Sequence, residues 1–579
     1  MTNTTSNTKL KYHLPHWERI LANPIISAVL LAIICFCLLH SALGGGWRFD
    51  DGPHLYFTAL YSPWQYFFVP EIMREQSWAN FTPWNAFFYE MGLPFFGLNP
   101  TGHYAHLLTV LWLTALSTYI LLRLWLSATS SFFGAVIFLA MPTTGAIGQM
   151  LMTGHYAYGL LFSVLSITFF TRSIREKKLS LSFLSAVFYF LACWSKELYV
   201  PIIGLLILLP EGKWPNRLKY ALPSLAVALV YTTYRLVVFE GVGGYGIQAQ
   251  TGEFNFSNIL YLFTSNLFGS LWVGSFIAII MGASVIFALF IQKKNISIIF
   301  LLACLIVIFF PIFFMILSGD IGNALNIRLL FFIGWSISIM FAWFANGDSK
   351  AYWMVLTVVI GLLMYSQHYT MATLTHSEKS MEEENHFLIN GAEDEILLPI
   401  SFARTSYLSD IKNAAILIGK KIPPTFPADE EALVNLSVEK GANAYKFIES
   451  CQCVQQVGLD NYQRQVNNFR SSLDSGKSKS MSIFIEIKDL GFRKLLRWKF
   501  SGPEGRYYLY VRNYTVIPLP NAGEMNFAAT GFLNQKKEID IYVHLLTPDG
   551  AIIRSPLLSI NPSKSNHTSW QGKSAVKWE

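Results

Sequence analysis

The sequence predicts a polytopic α-helical membrane protein with a water-soluble C-terminal domain, and three observations lead to this fold class. The 579-residue chain is 53% hydrophobic and only 14% charged, too apolar for an ordinary soluble protein. Residues 1–375 hold 19 Lys and Arg against 13 Asp and Glu, whereas residues 376–579 hold 24 against 23. Long apolar runs also end near residue 370. We therefore expect a transmembrane domain over residues 1–375 and a soluble domain over residues 376–579.

Eleven apolar segments are candidate membrane spans, because roughly 20 helical residues cross the hydrocarbon core. They are 25–43, 106–126, 131–149, 155–171, 180–195, 198–210, 220–238, 271–291, 296–317, 329–345 and 351–369. Short loops rich in Lys and Arg are typical of the cytoplasmic side, which puts the N-terminus in the cytoplasm and the C-terminal domain outside. The parity depends on dividing Ser180–Pro210 into two spans with a tight turn at Lys196-Glu197.

The expected location is the cell membrane, which is the inner membrane if the cell is Gram-negative. The net charge of +7 comes mostly from the short basic loops and indicates no nucleic-acid partner. No Gly-rich phosphate-binding motif supports a nucleotide-driven pump.

Two expected outer segments are too long to be simple connections. The first extracytoplasmic loop, residues 44–105, is rich in aromatic residues and Pro. Within it, Pro63–Met73 and Trp84–Met91 are predicted as short amphipathic helices at the membrane surface. The second segment, Phe239–Leu271, is rich in Gly and is either a mobile flap or a floppy outer loop.

Two adjacent carboxylates, Asp50 and Asp51, follow the first span, where a lipid substrate would arrive. Paired carboxylates can act as a base on a hydroxyl or hold a divalent cation. They repel one another, so one of them can have a raised pKa that suits a base. Their other interpretation is a turn at a helix end, because Asp, Gly and Pro favour turns. His54 follows in the same segment.

Other polar side chains fall near the outer ends of the expected spans, where a charge in lipid would cost about 2.5–3.5 kcal/mol on insertion scales. They are His155, Lys196, Glu197, Arg235 and Arg328. One interpretation is that they are interfacial anchors that extend into the head groups. The other is a site for an anionic lipid head group, with Lys and Arg on the phosphate.

Five short motifs carry a resemblance to a known class. They are Phe49-Asp50-Asp51, Asn99-Pro100-Thr101-Gly102-His103, Met141-Pro142-Thr143 followed by Gly154-His155-Tyr156, Ser195-Lys196-Glu197, and Asn326-Ile327-Arg328. In order and spacing they resemble the GT-C class of membrane glycosyltransferases, with the closest likeness to the protein O-mannosyltransferase-like and TPR-bearing O-mannosyltransferase branches. The resemblance covers roughly residues 20–370. It departs at His155-Tyr156, where many members have an Arg before an acidic residue, and the C-terminal domain shows no TPR-like repeat.

The resemblance implies transfer of a sugar from a polyprenyl-phosphate donor to an acceptor hydroxyl on the extracytoplasmic face, with inversion. The acceptor would be a glycan, a lipid or a protein. Asp50 or Asp51 would be the general base, and Arg328 and Lys196 would stabilise the leaving phosphate. Glu197 would orient Lys196 or contact the acceptor, and His54, His155 and Arg235 are further substrate-binding candidates. Some members use a divalent metal such as Mg²⁺ or Mn²⁺, which Asp50 and Asp51 would hold.

Two other classes of function stay open. A lipid-linked glycan flippase, a polymerase or a transporter would also have many spans and buried charges. Transporters often contain inverted repeats and charges near mid-span, whereas these charges gather at span ends and we find no convincing internal repeat. The second is a non-enzymatic assembly protein with a sugar-binding outer domain.

The C-terminal domain is predicted to be mixed and then rich in strands. Asp429–Glu439 and Asn443–Ser450 are predicted helices. The predicted strands are Met481–Lys488, Tyr507–Arg512, Glu538–Leu546 and Ile552–Ile560. Turn signals between them favour a β-sandwich. Its aromatic side chains, Trp498, Tyr507, Tyr508 and Tyr510 among them, either stack on sugar rings or fill the core. Cys451 and Cys453 are predicted to be free or joined by a labile disulfide.

Overall fold

The computed structural model describes most of the chain. It covers residues 16–77, 80–209, 211–239, 267–268, 272–277, 279, 324–344, 350–392, 395–398, 402–423, 443–489, 493–511, 515–528, 538–561 and 565–575. The Gly-rich segment 239–271 and the expected spans 271–291 and 296–317 lie mostly outside the described residues. The predicted helix Asp429–Glu439 lies wholly outside them.

The helical part of the chain begins with a short helix and the first span, followed by the outer loop. These helices are α1 (His16–Ala22), α2 (Pro24–Leu39), α3 (Asp51–Leu60), α4 (Pro63–Phe68), α5 (Pro70–Gln76) and α6 (Pro83–Phe96). The next ones are α7 (Pro100–Leu122), α8 (Ala128–Ala140), α9 (Pro142–Gly148), α10 (Gly154–Glu176), α11 (Leu179–Ser195), α12 (Ile202–Leu208) and α13 (Trp214–Phe239). After the gap come α14 (Phe331–Phe344), α15 (Lys350–Asn390), α16 (Phe402–Leu417) and α17 (Leu459–Gly476).

Five helical segments in the described ranges are long and apolar enough to cross a membrane. They are Pro24–Gly44, Pro100–Leu122, Leu151–Glu176, Trp214–Phe239 and Met354–Asn390. The pair α8 and α9 would be a sixth, and shorter apolar helices occupy Leu179–Ser195, Glu197–Leu208 and Ile327–Trp343. The chain is thus helical and apolar enough for a multi-pass membrane protein, while the number of eleven spans stays a prediction. The boundary at residue 375 also stays a prediction, and α15 runs through it to Asn390.

The expected single span 131–149 is bent. Helices α8 and α9 meet at an angle of 58°, because Pro142 at the start of α9 cannot continue the hydrogen-bonding of α8. Gln367 of α15 is buried at this break, and its Nε2 donates to the carbonyl oxygens of Leu139 at 2.7 Å and Met141 at 3.1 Å. The Leu139 carbonyl is one of those that a helix end leaves unpaired, whereas the Met141 carbonyl also accepts the backbone N–H groups of Thr144 and Gly145. The bend is therefore stabilised by a side chain from a distant helix.

The outer loop contains the short helices that the sequence predicts. The segment Pro63–Met73 forms two helices, α4 and α5, which are separated at Val69-Pro70, and Trp84–Met91 lies within α6. Trp64 and Phe68 of α4 are 63% and 58% exposed. Such exposed rings suit a head-group region, and their location at the membrane surface stays a prediction.

The C-terminal domain begins against the helical domain. The first sheet has the order β1-β2-β3, formed by β1 (Glu395–Leu398), β2 (Asn443–Ile448) and β3 (Cys453–Val457). Helix α16 packs on α3, and its buried residues Leu408, Ile411, Ala414 and Ala415 join the same apolar core as the helical bundle. The helix that carries the acidic pair is therefore covered by an element of the C-terminal domain.

The remaining strands form two antiparallel sheets around one core. They are β4 (Ser480–Asp489), β5 (Arg493–Ser501), β6 (Arg506–Val511), β7 (Thr515–Leu519), β8 (Ala522–Ala528), β9 (Ile539–Leu546), β10 (Ile552–Arg554), β11 (Leu558–Ile560) and β12 (Asn566–Lys573). One sheet has the order β12-β4-β5-β8, and the other has β10-β9-β6-β7 with β11 on β9. Alternate residues of β4 and β9 fill the space between the sheets, together with Trp498 and Tyr507. The predicted sandwich and strands are confirmed, with Ile552–Ile560 divided into two strands.

The predicted helix Asn443–Ser450 is wrong, because residues 443–448 form β2, which pairs with β1 and β3. Its buried residues Ala444 and Phe447 are three positions apart, a spacing that also suits a helix face. Pairing with strands on both sides decides the structure in favour of a strand. Cys451 and Cys453, beyond β2, form a disulfide.

We expect Gln367→Leu to destabilise the protein, because the Leu139 carbonyl at the α8–α9 break loses its side-chain donor, while the Met141 carbonyl keeps its backbone donors. An unpaired buried polar group costs about 1–3 kcal/mol, so the thermal unfolding temperature in detergent should fall by several degrees. Thr373→Val on the exposed side of α15 is the matched control, since its hydroxyl bonds only to its own helix at Tyr369. Equal unfolding temperatures for the two variants would contradict this role of Gln367.

Candidate functional site

The turn before α3 holds the acidic pair in an unusual backbone conformation. Phe49 has a φ of 50°, in the left-handed region that a bulky side chain seldom adopts and that costs on the order of 1–3 kcal/mol. Its buried ring packs in a cluster with Met152 and Ile327. Packing from two other segments therefore holds the strained residue, and Asp50 follows directly at the start of α3.

Asp51 is a buried carboxyl with both oxygens engaged. It is 1% exposed. Its Oδ2 accepts a hydrogen bond from the backbone N–H of Arg48 at 2.9 Å, and its Oδ1 accepts one from the Tyr89 hydroxyl at 2.6 Å. Burial raises the pKa of Asp51 from 3.8 to about 7. The raised pKa that the sequence predicts for one member of the pair thus belongs to the residue that closes the turn.

Asp50 is the accessible member of the pair. It is partly buried, and its backbone N–H donates to the Met152 sulfur at 3.4 Å. Its carboxylate forms no hydrogen bond or ion pair with the described residues. Two neighbouring aspartates therefore have different environments, and only Asp50 has oxygens available to a substrate.

Arg48 was missed by the sequence analysis, although it anchors the same turn. It is 1% exposed, and its Nη2 lies 3.0 Å from Glu382 Oε1 of α15. Its Nε donates to the Tyr104 hydroxyl at 3.0 Å, and its two terminal nitrogens donate to Thr375 and Gln149 at 3.3 Å each. The only sequence signal is an arginine in an apolar context, which needs a buried partner; nothing in the pattern identifies Glu382.

Lys196 and Glu197 form the tight turn that the sequence predicts after α11. Lys196 Nζ lies 5.6 Å from the centroid of the Tyr156 ring and 3.8 Å from Glu197 Oε2. Glu197 Oε1 accepts the backbone N–H of Phe81 at 2.5 Å and pairs with Arg235. Glu197 therefore connects the outer loop, through Phe81, to α13, through its ion pair with Arg235.

His54 lies one turn after Asp50 in α3. Its ring stacks on Tyr89 with centroids 5.9 Å apart, and its Nε2 lies 2.9 Å from Asn85 Nδ2. Asp50 and Arg328 both interact electrostatically with it. Burial lowers the pKa of His54 below its usual range, which favours the neutral ring.

His155 and Arg328 approach the same place from two other segments. His155, in the first turn of α10, is 6% exposed and its Nδ1 has no hydrogen-bond partner among the described residues. It interacts electrostatically with Lys196, His54 and Arg328. Arg328 lies in the 3₁₀ segment Ala324–Leu330, and its Nε is buried without a hydrogen-bond partner in the described part.

The structure therefore brings together most of the residues that the sequence analysis proposed. Asp50, His54, His155, Lys196 and Arg328 form one polar cluster, which we call the outer cluster. Asp51 is outside the outer cluster, because its two oxygens bond to Arg48 and Tyr89. Arg235 is connected to the outer cluster through Glu197. Asn85, which the sequence did not single out, contacts the cluster through His54.

The acidic pair does not fit a divalent metal. Both oxygens of Asp51 already accept hydrogen bonds, one from the backbone N–H of Arg48 that closes the turn and one from the Tyr89 hydroxyl of α6. The described ranges contain no group of three or more His, Cys, Asp or Glu side chains that could hold an ion. We therefore assign no step to Mg²⁺ or Mn²⁺.

The chain was compared with known proteins. No protein-family model matches it, and no curated protein does. It is similar to the crystal structure of ArnT from Cupriavidus metallidurans bound to undecaprenyl phosphate, with a TM-score of 0.43, 12% identity, and coverage of 74% of this chain and 93% of that one. The apo state of the same protein has a TM-score of 0.35 at 12% identity, covering 73% and 93%. At these scores the likeness carries no functional conclusion, so we base function on the residues of this chain.

We expect Asp51→Asn to change how stability depends on pH. Because the pKa of Asp51 is raised from 3.8 to about 7 on folding, the folded state holds this proton more tightly than the unfolded state. Its contribution is full below the lower value and is lost as pH rises towards the upper one. The unfolding temperature of the natural protein should thus fall over this window. An amide cannot titrate, and its oxygen can accept the Arg48 N–H while its NH2 group donates to the Tyr89 oxygen, so the variant should show a smaller fall.

Asp50→Asn is the matched control, since it neutralises the adjacent carboxylate and leaves the Arg48 and Tyr89 bonds intact. It should keep most of the fall, because burial is the main cause of the raised pKa of Asp51 and the charge of Asp50 is a lesser one. An equal pH dependence in Asp51→Asn and the natural protein would contradict the assignment.

Proposed function

We propose that this protein is a membrane glycosyltransferase. It transfers a sugar from a polyprenyl-phosphate donor to an acceptor hydroxyl on the extracytoplasmic face, and the anomeric centre is inverted. The observation that carries the proposal is an available carboxylate, Asp50, in one cluster with the cationic side chains of Lys196 and Arg328 and beside apolar helices that suit a membrane.

Asp50 has the properties of a general base. Its carboxylate has no competing donor in the described part of the chain, and it lies at the first turn of a rigid helix that is packed on both sides. In the proposed step, Asp50 takes the proton of the acceptor hydroxyl while the acceptor oxygen forms a bond to the anomeric carbon. The bond from that carbon to the phosphate oxygen breaks, and its electron pair leaves with the lipid phosphate.

The cations of the outer cluster suit the leaving group. Negative charge grows on the phosphate oxygen as the bond breaks, and a fixed cation at that place lowers the barrier. Arg328 has a buried Nε without a hydrogen-bond partner among the described residues, so a phosphate oxygen would satisfy it. Lys196 is held over the Tyr156 ring by a turn that Glu197 fixes, which keeps its charge near His155. Arg235 supports this arrangement through Glu197 rather than contacting the donor.

The C-terminal domain would face the acceptor. Helix α16 packs on α3, so the domain borders the segment that carries Asp50. Trp498 and Tyr507 fill the sandwich core and are not available to a sugar. The glycan, lipid or protein acceptor would therefore approach between α16 and the outer loop.

The test is transfer of label from polyprenyl-phosphate sugars by the purified protein in nanodiscs. Asp50→Asn should lower the rate by about 10²–10⁴-fold, the usual contribution of a general base. Asp474→Asn, on exposed α17 and paired with Lys477, is the control and should leave the rate unchanged.

Two outcomes would contradict the proposal. Translocation of the lipid without any transfer would indicate a flippase or transporter. Full transfer by Asp50→Asn would remove this carboxylate from the chemistry.

A further inference from the structure

Asn85 lies in the first turn of α6 and is almost fully buried, with 3% exposure. Its Nδ2 is 2.9 Å from Nε2 of His54, the ring that stands one turn from Asp50. The aromatic-rich sequence around it, Pro83-Trp84-Asn85-Ala86-Phe87, gives no sign of a polar role. The fold alone brings this amide to the outer cluster.

One polar atom of this amide is unsatisfied. Asn85 Oδ1 is buried and has no hydrogen-bond partner among the described residues. Exchanging the amide nitrogen and oxygen moves the vacancy but does not remove it, because His54 can engage only one of the two atoms. A buried polar group without a partner costs about 1–3 kcal/mol. A ligand that bonds to this atom would recover that cost.

The segment that holds this amide has contacts towards both the proposed base and the proposed cations. His54 connects it to Asp50 on one side. Phe81, four positions earlier in the chain, donates its backbone N–H to Glu197, which is the neighbour of Lys196. A donor whose phosphate lies on the cations, and whose anomeric carbon is attacked by a hydroxyl that Asp50 activates, holds its sugar ring to the side of that line. Asn85, which contacts the cluster through His54, is the buried amide that we expect to face this ring.

We propose that Asn85 is a specificity-determining residue that binds a hydroxyl group of the transferred sugar. This inference rests on the proposed function and adds the part of the substrate that is recognised. A hydroxyl both donates and accepts, so it can satisfy the vacant amide atom in either orientation. A site built to bond a hydroxyl rejects analogues that lack it, because its own buried group is then left unpaired.

The alternative is that Asn85 only supports the His54 ring. These two roles differ in what they do to ligands. Loss of a ring support would weaken the binding of every ligand in the cluster, whereas loss of a hydroxyl contact would weaken only ligands that carry the sugar. A comparison of polyprenyl phosphate with polyprenyl-phosphate sugars separates them.

The experiment measures the affinity of the full-length protein in nanodiscs for polyprenyl phosphate and for its mannose, glucose and arabinose derivatives. The natural protein should bind at least one sugar derivative more tightly than the bare phosphate. Leucine is similar in size to asparagine. Asn85→Leu should bind the preferred sugar derivative about tenfold more weakly than the natural protein does, which corresponds to about 1.4 kcal/mol. Its affinity for bare polyprenyl phosphate should stay within about twofold, which also shows that the variant is folded.

Asn99→Leu is the matched control, because Asn99 is an exposed asparagine that caps α7 in the same loop. It should keep the full gain. Deoxy derivatives of the preferred sugar then identify the hydroxyl, since one of them should weaken binding to the natural protein but not to Asn85→Leu.

Three results would overturn the inference. The first is that Asn85→Leu keeps the full sugar-dependent gain, and the second is that it loses affinity equally for the sugar-bearing and bare ligands. Either result removes Asn85 from sugar recognition while the proposed transferase stands. If the natural protein gains nothing from any sugar, the proposed donor is wrong and this inference falls with it.

Discussion

The buried pair of Arg48 and Glu382 is the interaction on which the candidate site depends. It joins the loop after the first span to α15, and the guanidinium also bonds to α7 through Tyr104. Such a pair adds little net stability, because removing both charges from water costs about as much as their attraction returns. Its effect is geometric. Separating the two partners would leave each charge buried and unpaired, so the pair holds the turn in place against α15.

That position gives two adjacent aspartates different environments. The backbone N–H of Arg48 closes the turn on Asp51, and Tyr89 occupies the other oxygen. Asp50 follows the left-handed Phe49, and its carboxylate takes no part in this network but interacts electrostatically with His54. Identical side chains thus acquire different roles because one of them satisfies the backbone and the other does not.

Much of this site was predictable, because charged side chains within an apolar chain cost free energy unless they reach water or a partner. Asp50, Lys196 and Arg328 stand out at the ends of apolar runs, and spans ending on one face must bring such residues close together. Arg48 was overlooked because its partner, Glu382, lies in a helix beyond nine other expected spans. In the sequence, Asn85 looks like an ordinary residue of a first helical turn. Only the fold shows that its amide contacts His54.

In the fold, too, features that depend on local sequence were predicted and features that depend on distant partners were not. Apolar length predicts helices well, since it follows from the thickness of the bilayer. The bend at Met141-Pro142 was not predicted, although Pro142 is visible in the sequence. The cost of a broken span depends on whether a distant side chain, here Gln367, can bond a carbonyl such as that of Leu139 at the end of α8. The strand β2 was mistaken for a helix for a similar reason: its partners β1 and β3 decide its structure.

The central claim is that the acid and the cations share one site around a lipid phosphate. The most direct measurement is the affinity of polyprenyl phosphate for Asp50→Asn and Arg328→Gln in nanodiscs. If the groups share a site, removing the carboxylate relieves repulsion and tightens binding, while removing the cation weakens it. Unchanged binding in Asp50→Asn beside a loss in Arg328→Gln would place the two residues in separate sites and contradict the account.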